Sequence, residues 1–328
     1  MDTQKSEWQS ACSLELLRLR AQTLQKIRRF FMDRSVLEVE TPLLGQAVGT
    51  DPNLSFFTSE YHYPPMQKKM FLQTSPEFAM KRLLAAGCGS VYQICKAFRN
   101  EESGRFHNPE FTMLEWYRVD FGLSELMAEV EELMALLFEH QGLQPTQRVS
   151  YQSLFQQYTG LDCLDFCYED YVAYVQNSGL FDAIALCGHD HAVWLDFIFS
   201  HGIQPHLGES AFLVVYGYPA CQSSLARINA ENPLITDRFE LFLKGVELGN
   251  GYYELNDALE QERRFDQEIA LRERLQRPAA IKDERLLGAL AQGLPDCSGV
   301  AIGLDRILML LSNSPTIDGV LAFPVSNA

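Results

Sequence analysis

The chain is short of positive charge. It carries 27 Lys and Arg against 43 Asp and Glu over 328 residues, a formal net charge of −16. A protein that grips nucleic acid neutralises many phosphates with clustered Lys and Arg. The balance therefore counts against stable tRNA binding, although a local basic patch is compatible with it. Long apolar runs are also missing, and none approaches the length of a membrane span. The opening Met1-Asp2-Thr3-Gln4-Lys5-Ser6-Glu7 lacks the basic start and apolar core of a secretory leader. No membrane association is expected, and a cytoplasmic location is. The eight cysteines are scattered and contain no Cys-x-x-Cys pair. Buried free thiols in a reducing compartment are the expectation, rather than a disulfide framework. Cys163, Cys167, Cys187, His189 and His191 fall in one region, but their spacing fits no common zinc pattern. Internal repeats, low-complexity tracts and a clear linker are all absent.

What is present is apolar residue in quantity, 47% of the chain, enough for a large core. Leu16, Leu17, Leu24, Ile27, Phe30 and Phe31 recur at helical spacing, which predicts an amphipathic helix from about Ser13 to Arg34. Val36 to Thr41 is extended and stopped by Pro42. Ser75-Pro76-Glu77 reads as a helix start, with a helix running to Gly87. Ser90 to Phe98 and Glu110 to Arg118 read as strands joined by a polar loop. Ser124 opens an acidic helix ending near Gly142, and a mostly helical insertion spans about 150–205. Ala211 to Tyr216, Arg238 to Lys244 and Val246 to Leu255 are strand-like, and Glu260 to Arg277 is a charged helix whose mixed signs predict a solvated face. Strands separated in this way give no regular βαβ alternation. The expected class is α+β, a mainly antiparallel sheet flanked by helices.

Three segments carry chemistry. Phe98-Arg99-Asn100-Glu101 and His107-Asn108-Pro109-Glu110-Phe111 put an arginine, an acid and an aromatic on the two strands and their loop. Arg99 can contact a phosphate or carboxylate bidentately, and Phe111 offers a flat stacking face. Downstream, Gly299-Val300-Ala301-Ile302-Gly303-Leu304-Asp305-Arg306 ends a strand at a glycine and starts a helix with an arginine in its first turn, where anions are favoured. With Val36-Leu37-Glu38-Val39-Glu40-Thr41-Pro42, these resemble the three ordered motifs of the class II aminoacyl-tRNA synthetases. Thr74-Ser75-Pro76-Glu77, the run Arg105 to Glu115, Glu247-Leu248-Gly249-Asn250-Gly251 and Glu254-Leu255-Asn256-Asp257-Ala258 narrow the resemblance to the lysyl-tRNA synthetase branch. It covers about Leu24 to Pro324. Only a short segment precedes the first motif, so no OB-fold anticodon domain is expected, and the chain resembles the stand-alone paralogues that lysylate a protein.

That resemblance implies one catalytic domain over 1–328 and a homodimer built through the first helix and strand. It implies ATP-dependent activation of a lysine-like amino acid, (R)-β-lysine in preference to α-lysine, as an aminoacyl-adenylate. The acyl group then passes to the ε-amine of a lysine on elongation factor P. Arg99 and Arg306 become the catalytic pair, with Arg306 packing on the adenine opposite Phe111. Glu101, His107, Asn108, Phe111, Glu247, Leu248 and Gly303 join them around ATP. Ser75, Pro76, Glu77, Glu115, Tyr117, Asn250, Glu254 and Ala301 surround the amino acid, and several acids there favour a dibasic substrate, because a buried ammonium needs a paired carboxylate. Trp116 should point away, into the core. Lysyl-tRNA synthetases have a glycine where this chain has Ala301, and the added methyl is consistent with a reshaped pocket. Glu247 and Glu254 are the implied Mg²⁺ ligands, supplying hard oxygens. Seven residues apart, they fall on opposite faces of an ideal strand, and a glycine-centred bulge, with Gly249 and Gly251 between them, would restore a common face. The alternatives are a minimal tRNA-charging enzyme, an asparagine-forming ligase on the same fold, and a silent binding paralogue. The last would predict damage to Arg99, Glu101, Phe111, Glu247, Glu254 and Arg306, all of which are intact.

Overall fold

The computed structural model describes residues 8–328. The strands are β1 (Leu37–Glu38), β2 (Leu44–Gly45), β3 (Thr58–Tyr63), β4 (Met66–Leu72), β5 (Val91–Phe98), β6 (Glu110–Val119), β7 (Gln144–Ser150), β8 (Ala211–Tyr216), β9 (Arg238–Leu243), β10 (Val246–Tyr253) and β11 (Cys297–Gly303). The helices are α1 (Leu14–Met32), α2 (Glu77–Ala85), α3 (Leu123–Leu137), α4 (Tyr151–Thr159), α5 (Tyr168–Asn177), α6 (Asp182–Cys187), α7 (His191–Ile198), α8 (Ala258–Arg274), α9 (Glu284–Gly293) and α10 (Leu304–Ser312). They fall into two units. One comprises the chain up to Phe121 with Leu133–Phe138 and Asn256–Ala328, and the other comprises Gly122–Glu132 and Glu139–Leu255.

In the first unit β1 pairs with β5 in parallel, and β5–β6 and β6–β11 are antiparallel. A smaller antiparallel sheet has the order β2-β4-β3. Helix α1 starts where the Oγ of Ser13 accepts the Leu16 N–H at 3.2 Å, and its apolar stripe buries Ile27, Phe30 and Phe31. Phe31 stacks on Tyr92 of β5 at 4.4 Å and meets Trp116 of β6 edge-on at 5.2 Å. These contacts fix α1 against the hairpin, and Trp116 is fully buried. Helix α2 stops at Ala85, two residues short of the expected Gly87, which takes a left-handed φ of +84° suited to ending a helix.

In the second unit β7 and β8 are parallel, and β8–β9 and β9–β10 are antiparallel. Helices α4 to α7 occupy most of the 150–205 segment. Their buried faces, with Tyr151, Phe155 and Trp194, and Phe199 just after α7 pack with Leu213, Val215, Tyr218 and Phe242 into one core. Both units thus have the expected α+β character, mainly antiparallel sheet with helices against it. Helix α3 ends at Leu137 rather than near Gly142, and α8 begins at Ala258 because the side chain of Asp257 caps Leu259 and Glu260. Among the described residues no helix is long and apolar enough to cross a membrane.

Candidate active site

Register decides what the first unit can offer a ligand. Residues directly opposite in antiparallel strands share a face, and successive residues alternate. In β6, Phe111, Met113, Glu115 and Tyr117 therefore point to one side of the sheet. On β11, Gly303 lies opposite Met113, Ala301 opposite Glu115 and Gly299 opposite Tyr117. Small side chains on β11 leave room beside large polar ones on β6. The intervening Leu114 and Trp116 face Ile302 and Val300 on the other side, where all four are buried.

Glu115 is 1% exposed and holds two hydroxyls. Ser75 donates to one carboxylate oxygen at 2.8 Å and Tyr117 to the other at 2.6 Å. The Oγ of Ser75 also accepts the Glu77 N–H at 3.0 Å, which ties the start of α2 to β6. Ser75 thus serves the first turn as expected, although Pro76 occupies the capping position itself. The carboxylate of Glu77 pairs with Lys81 one turn on, at 2.5 Å, and Lys81 is 1% exposed. A cavity of about 220 Å³ adjoins this helix start, lined by Val48, Phe71, Gln73, Thr74, Ser75 and Arg285 among others. Beneath the same sheet face, burial and the charge of Glu115 push the Cys95 thiol up to about 12.

Arg99 follows β5. Its guanidinium lies 5.2 Å from the centroid of the Phe111 ring and 3.8 Å from Glu102. Its Nε is buried and has no hydrogen-bond partner among the described residues. Glu101 adopts a left-handed φ of +65°, accepts from the Ser55 hydroxyl at 2.9 Å and lies 3.6 Å from Arg277. His107 meets the guanidinium of Arg306 at 2.7 Å, and the Nε of Arg306 donates to the Phe106 carbonyl at 3.3 Å. Asn108 spends both ends of its amide on backbone, donating to Glu110 C=O at 2.6 Å and accepting from Val325 N–H at 3.0 Å. That arrangement braces the loop. The start of α10 is held by Asp305, whose carboxylate accepts the Thr112 N–H at 2.6 Å and an Arg20 N–H.

In the second unit the register of β10 against β9 shifts between Glu247 and Gly249, so Leu248 is the extra residue of a bulge. With that residue discounted, Glu247, Asn250, Tyr252 and Glu254 alternate onto one face. Glu254 continues the strand by bridging to Ala226, is 1% exposed, and its carbonyl accepts from Arg227 at 2.6 Å. Opposite Asn250 and Tyr252 stand Glu240 and Arg238, which sequence reading passed over. Their alternation in Arg238-Phe239-Glu240 was the available signal. Lys81, four residues after Glu77, was another. Among the described residues, no group of three or more His, Cys, Asp or Glu is placed to hold a metal ion on its own. His191 is instead stacked on Phe166 at 4.7 Å.

Comparison with known proteins settles the family. Residues 6–327 match the family model described as "tRNA synthetases class II (D, K and N)". The chain belongs to this family of class II tRNA synthetases. Among curated relatives, the elongation factor P–(R)-β-lysine ligase of Pasteurella multocida is 43% identical over 327 residues, 99% of each chain. The protein of the same name from Salmonella paratyphi B is 44% identical over 330 residues, covering 99% of this chain and all of the relative. Within the class II family, then, the similarity extends over the full length of these two relatives.

Proposed function

We propose that this class II synthetase homologue activates (R)-β-lysine, and α-lysine less well, with ATP and transfers it to a lysine ε-amine of elongation factor P. The full-length similarity to ligases named for that reaction carries the proposal, and the face that unites Glu115, Tyr117, Ser75 and Ala301 supports it. In the first step an oxygen of the amino-acid carboxylate attacks the α-phosphorus of ATP. The bond to pyrophosphate breaks and the aminoacyl-adenylate forms. In the second, the acceptor amine attacks the acyl carbon, loses a proton, and AMP leaves.

Positioning and charge do most of this work. Arg99, with its unpartnered buried Nε, is assigned to the carboxylate and α-phosphate, and Phe111 to the adenine. Arg306, held by His107, is assigned to the outer phosphates. Glu101, Asn108, Leu248 and Gly303 shape the nucleotide site, Asn108 by bracing its loop. Glu115, in its cage of hydroxyls, is assigned to an ammonium of the substrate; Glu77, whose charge Lys81 offsets, and Glu254 are assigned to substrate binding as well. Pro76 and Asn250 complete the substrate set. Glu247 and Glu254 fit Mg²⁺, which takes one or two carboxylates and fills its shell from phosphates and water. When bound, the ion would neutralise phosphate charge. A homodimer is proposed through α1 and β1, where Leu14, Met32 and Leu37 remain 70%, 58% and 54% exposed.

The test is pyrophosphate exchange with (R)-β-lysine, α-lysine and aspartate. Exchange with β-lysine foremost supports the proposal. Exchange with none, from folded protein, overturns the activating role.

A further inference from the structure

Arg238 and Glu240 lie on β9 directly opposite Tyr252 and Asn250 of β10, so the four side chains share a face. The Arg238 guanidinium uses all its edges. Nε donates to Oδ1 of Asn250 at 3.2 Å, one terminal nitrogen to the Gln222 carbonyl at 2.7 Å, and the other to Glu240. It also lies over the Tyr218 ring at 4.4 Å, and the Tyr218 hydroxyl donates to the second oxygen of Glu240 at 2.6 Å. The arginine is therefore fixed from several sides.

A guanidinium has five donors and no acceptor. Whatever faces it must accept, so Asn250 can present only its carbonyl oxygen to Arg238. The amide nitrogen is thereby turned the other way, and one of its hydrogens goes to the Tyr252 hydroxyl at 2.8 Å. The Tyr252 hydroxyl can either donate or accept, so it does not by itself choose between the two orientations of the amide. We propose that Arg238 is a positioning residue that locks the Asn250 carboxamide with its NH₂ outward, so that Asn250 is an obligate donor to the carboxylate of the amino-acid substrate. This rests on the substrate-binding role proposed above for Asn250. Lysine cannot replace the planar fork, because one ammonium does not reach Asn250, Gln222 and Glu240 in one plane.

The test is a double-mutant cycle in amino-acid-dependent pyrophosphate exchange. Arg238→Lys is expected to raise the KM for the amino acid by about tenfold, the scale of one charge-assisted hydrogen bond, with the KM for ATP unchanged. In an Asn250→Ala background the same substitution should change that KM less than about twofold, because the group through which it acts is gone. An equal cost in both backgrounds, or a matching rise in the KM for ATP, overturns the proposal. Should the wild type exchange with no amino acid, the activating role fails separately, and side-chain amide NMR still reads the lock. The Asn250 NH₂ signals, assigned through Asn250→Ala, should exchange slowly in wild type and faster in Arg238→Lys. Equal exchange in the two would refute the positioning.

Discussion

Ala301→Gly probes the register on which the substrate pocket rests. Ala301 sits opposite Glu115, and its methyl shares a face with that carboxylate and with Tyr117. Removing it opens space for one carbon beside the acid. A buried methylene is worth about 0.8 kcal/mol, and discrimination by one in a tight pocket runs to roughly 1–3 kcal/mol. The ratio of kcat/KM for α-lysine over (R)-β-lysine should therefore rise by about 4- to 150-fold. Pyrophosphate exchange with each amino acid measures it. Val300→Ala is the control, because Val300 lies opposite Trp116 on the buried side. That substitution should lower thermal stability by about 1–3 kcal/mol and leave the ratio alone. A ratio unchanged within about twofold in Ala301→Gly, which is below the 0.8 kcal/mol of one methylene, would refute the placement of Ala301 in the pocket wall.

Other consequences can be checked directly. Arg99→Ala should cut exchange by about 10²–10³-fold, the usual loss on removing one transition-state donor, with an unchanged melting profile; near-normal exchange would remove Arg99 from the chemistry. Asp305→Ala removes the acceptor of the Thr112 N–H and one partner of Arg20, which keeps the Val320 carbonyl and the Thr112 hydroxyl, and should destabilise by about 1–3 kcal/mol, read as a drop in Tm by calorimetry. Glu268, bonded to Thr50 and near the charges of Asp51 and Glu77, is pushed up to about 7, chiefly by burial. Its folded value exceeds its unfolded one, so its contribution is full below about 4.5 and is lost as pH rises through about 7. Glu268→Gln should therefore flatten the fall in stability between those values, and an identical pH profile in urea melts would contradict the assignment.

Much of this was legible where patterns were strong. β5, β6 and β11 announce themselves by apolar runs bounded by glycine or polar loops, and α10 begins where Gly303 ends its strand. The bulge was foreseeable because Glu247 and Glu254 need one to share a face, though the extra residue proved to be Leu248 rather than a glycine. The hairpin of β3 and β4 escaped notice because β3 is exposed along its whole length, so no apolar alternation marks it. β7 is hidden for a related reason, being mostly polar, as Gln144 to Ser150 show. Lys81 and Arg238 could not be ranked from sequence, since a cation's importance there depends on burial and on which carboxylate or amide the fold sets against it. Asn108 shows the converse. Its motif points to nucleotide contact, and its atoms are engaged with the backbone of Glu110 and Val325.

The most direct test of the central claim is the intact mass of purified elongation factor P after incubation with this protein, ATP and (R)-β-lysine. The account predicts a gain of one β-lysyl group on a single lysine, dependent on ATP and absent with Arg99→Ala. An unmodified factor, with tRNA charged by lysine in a parallel reaction, would contradict it.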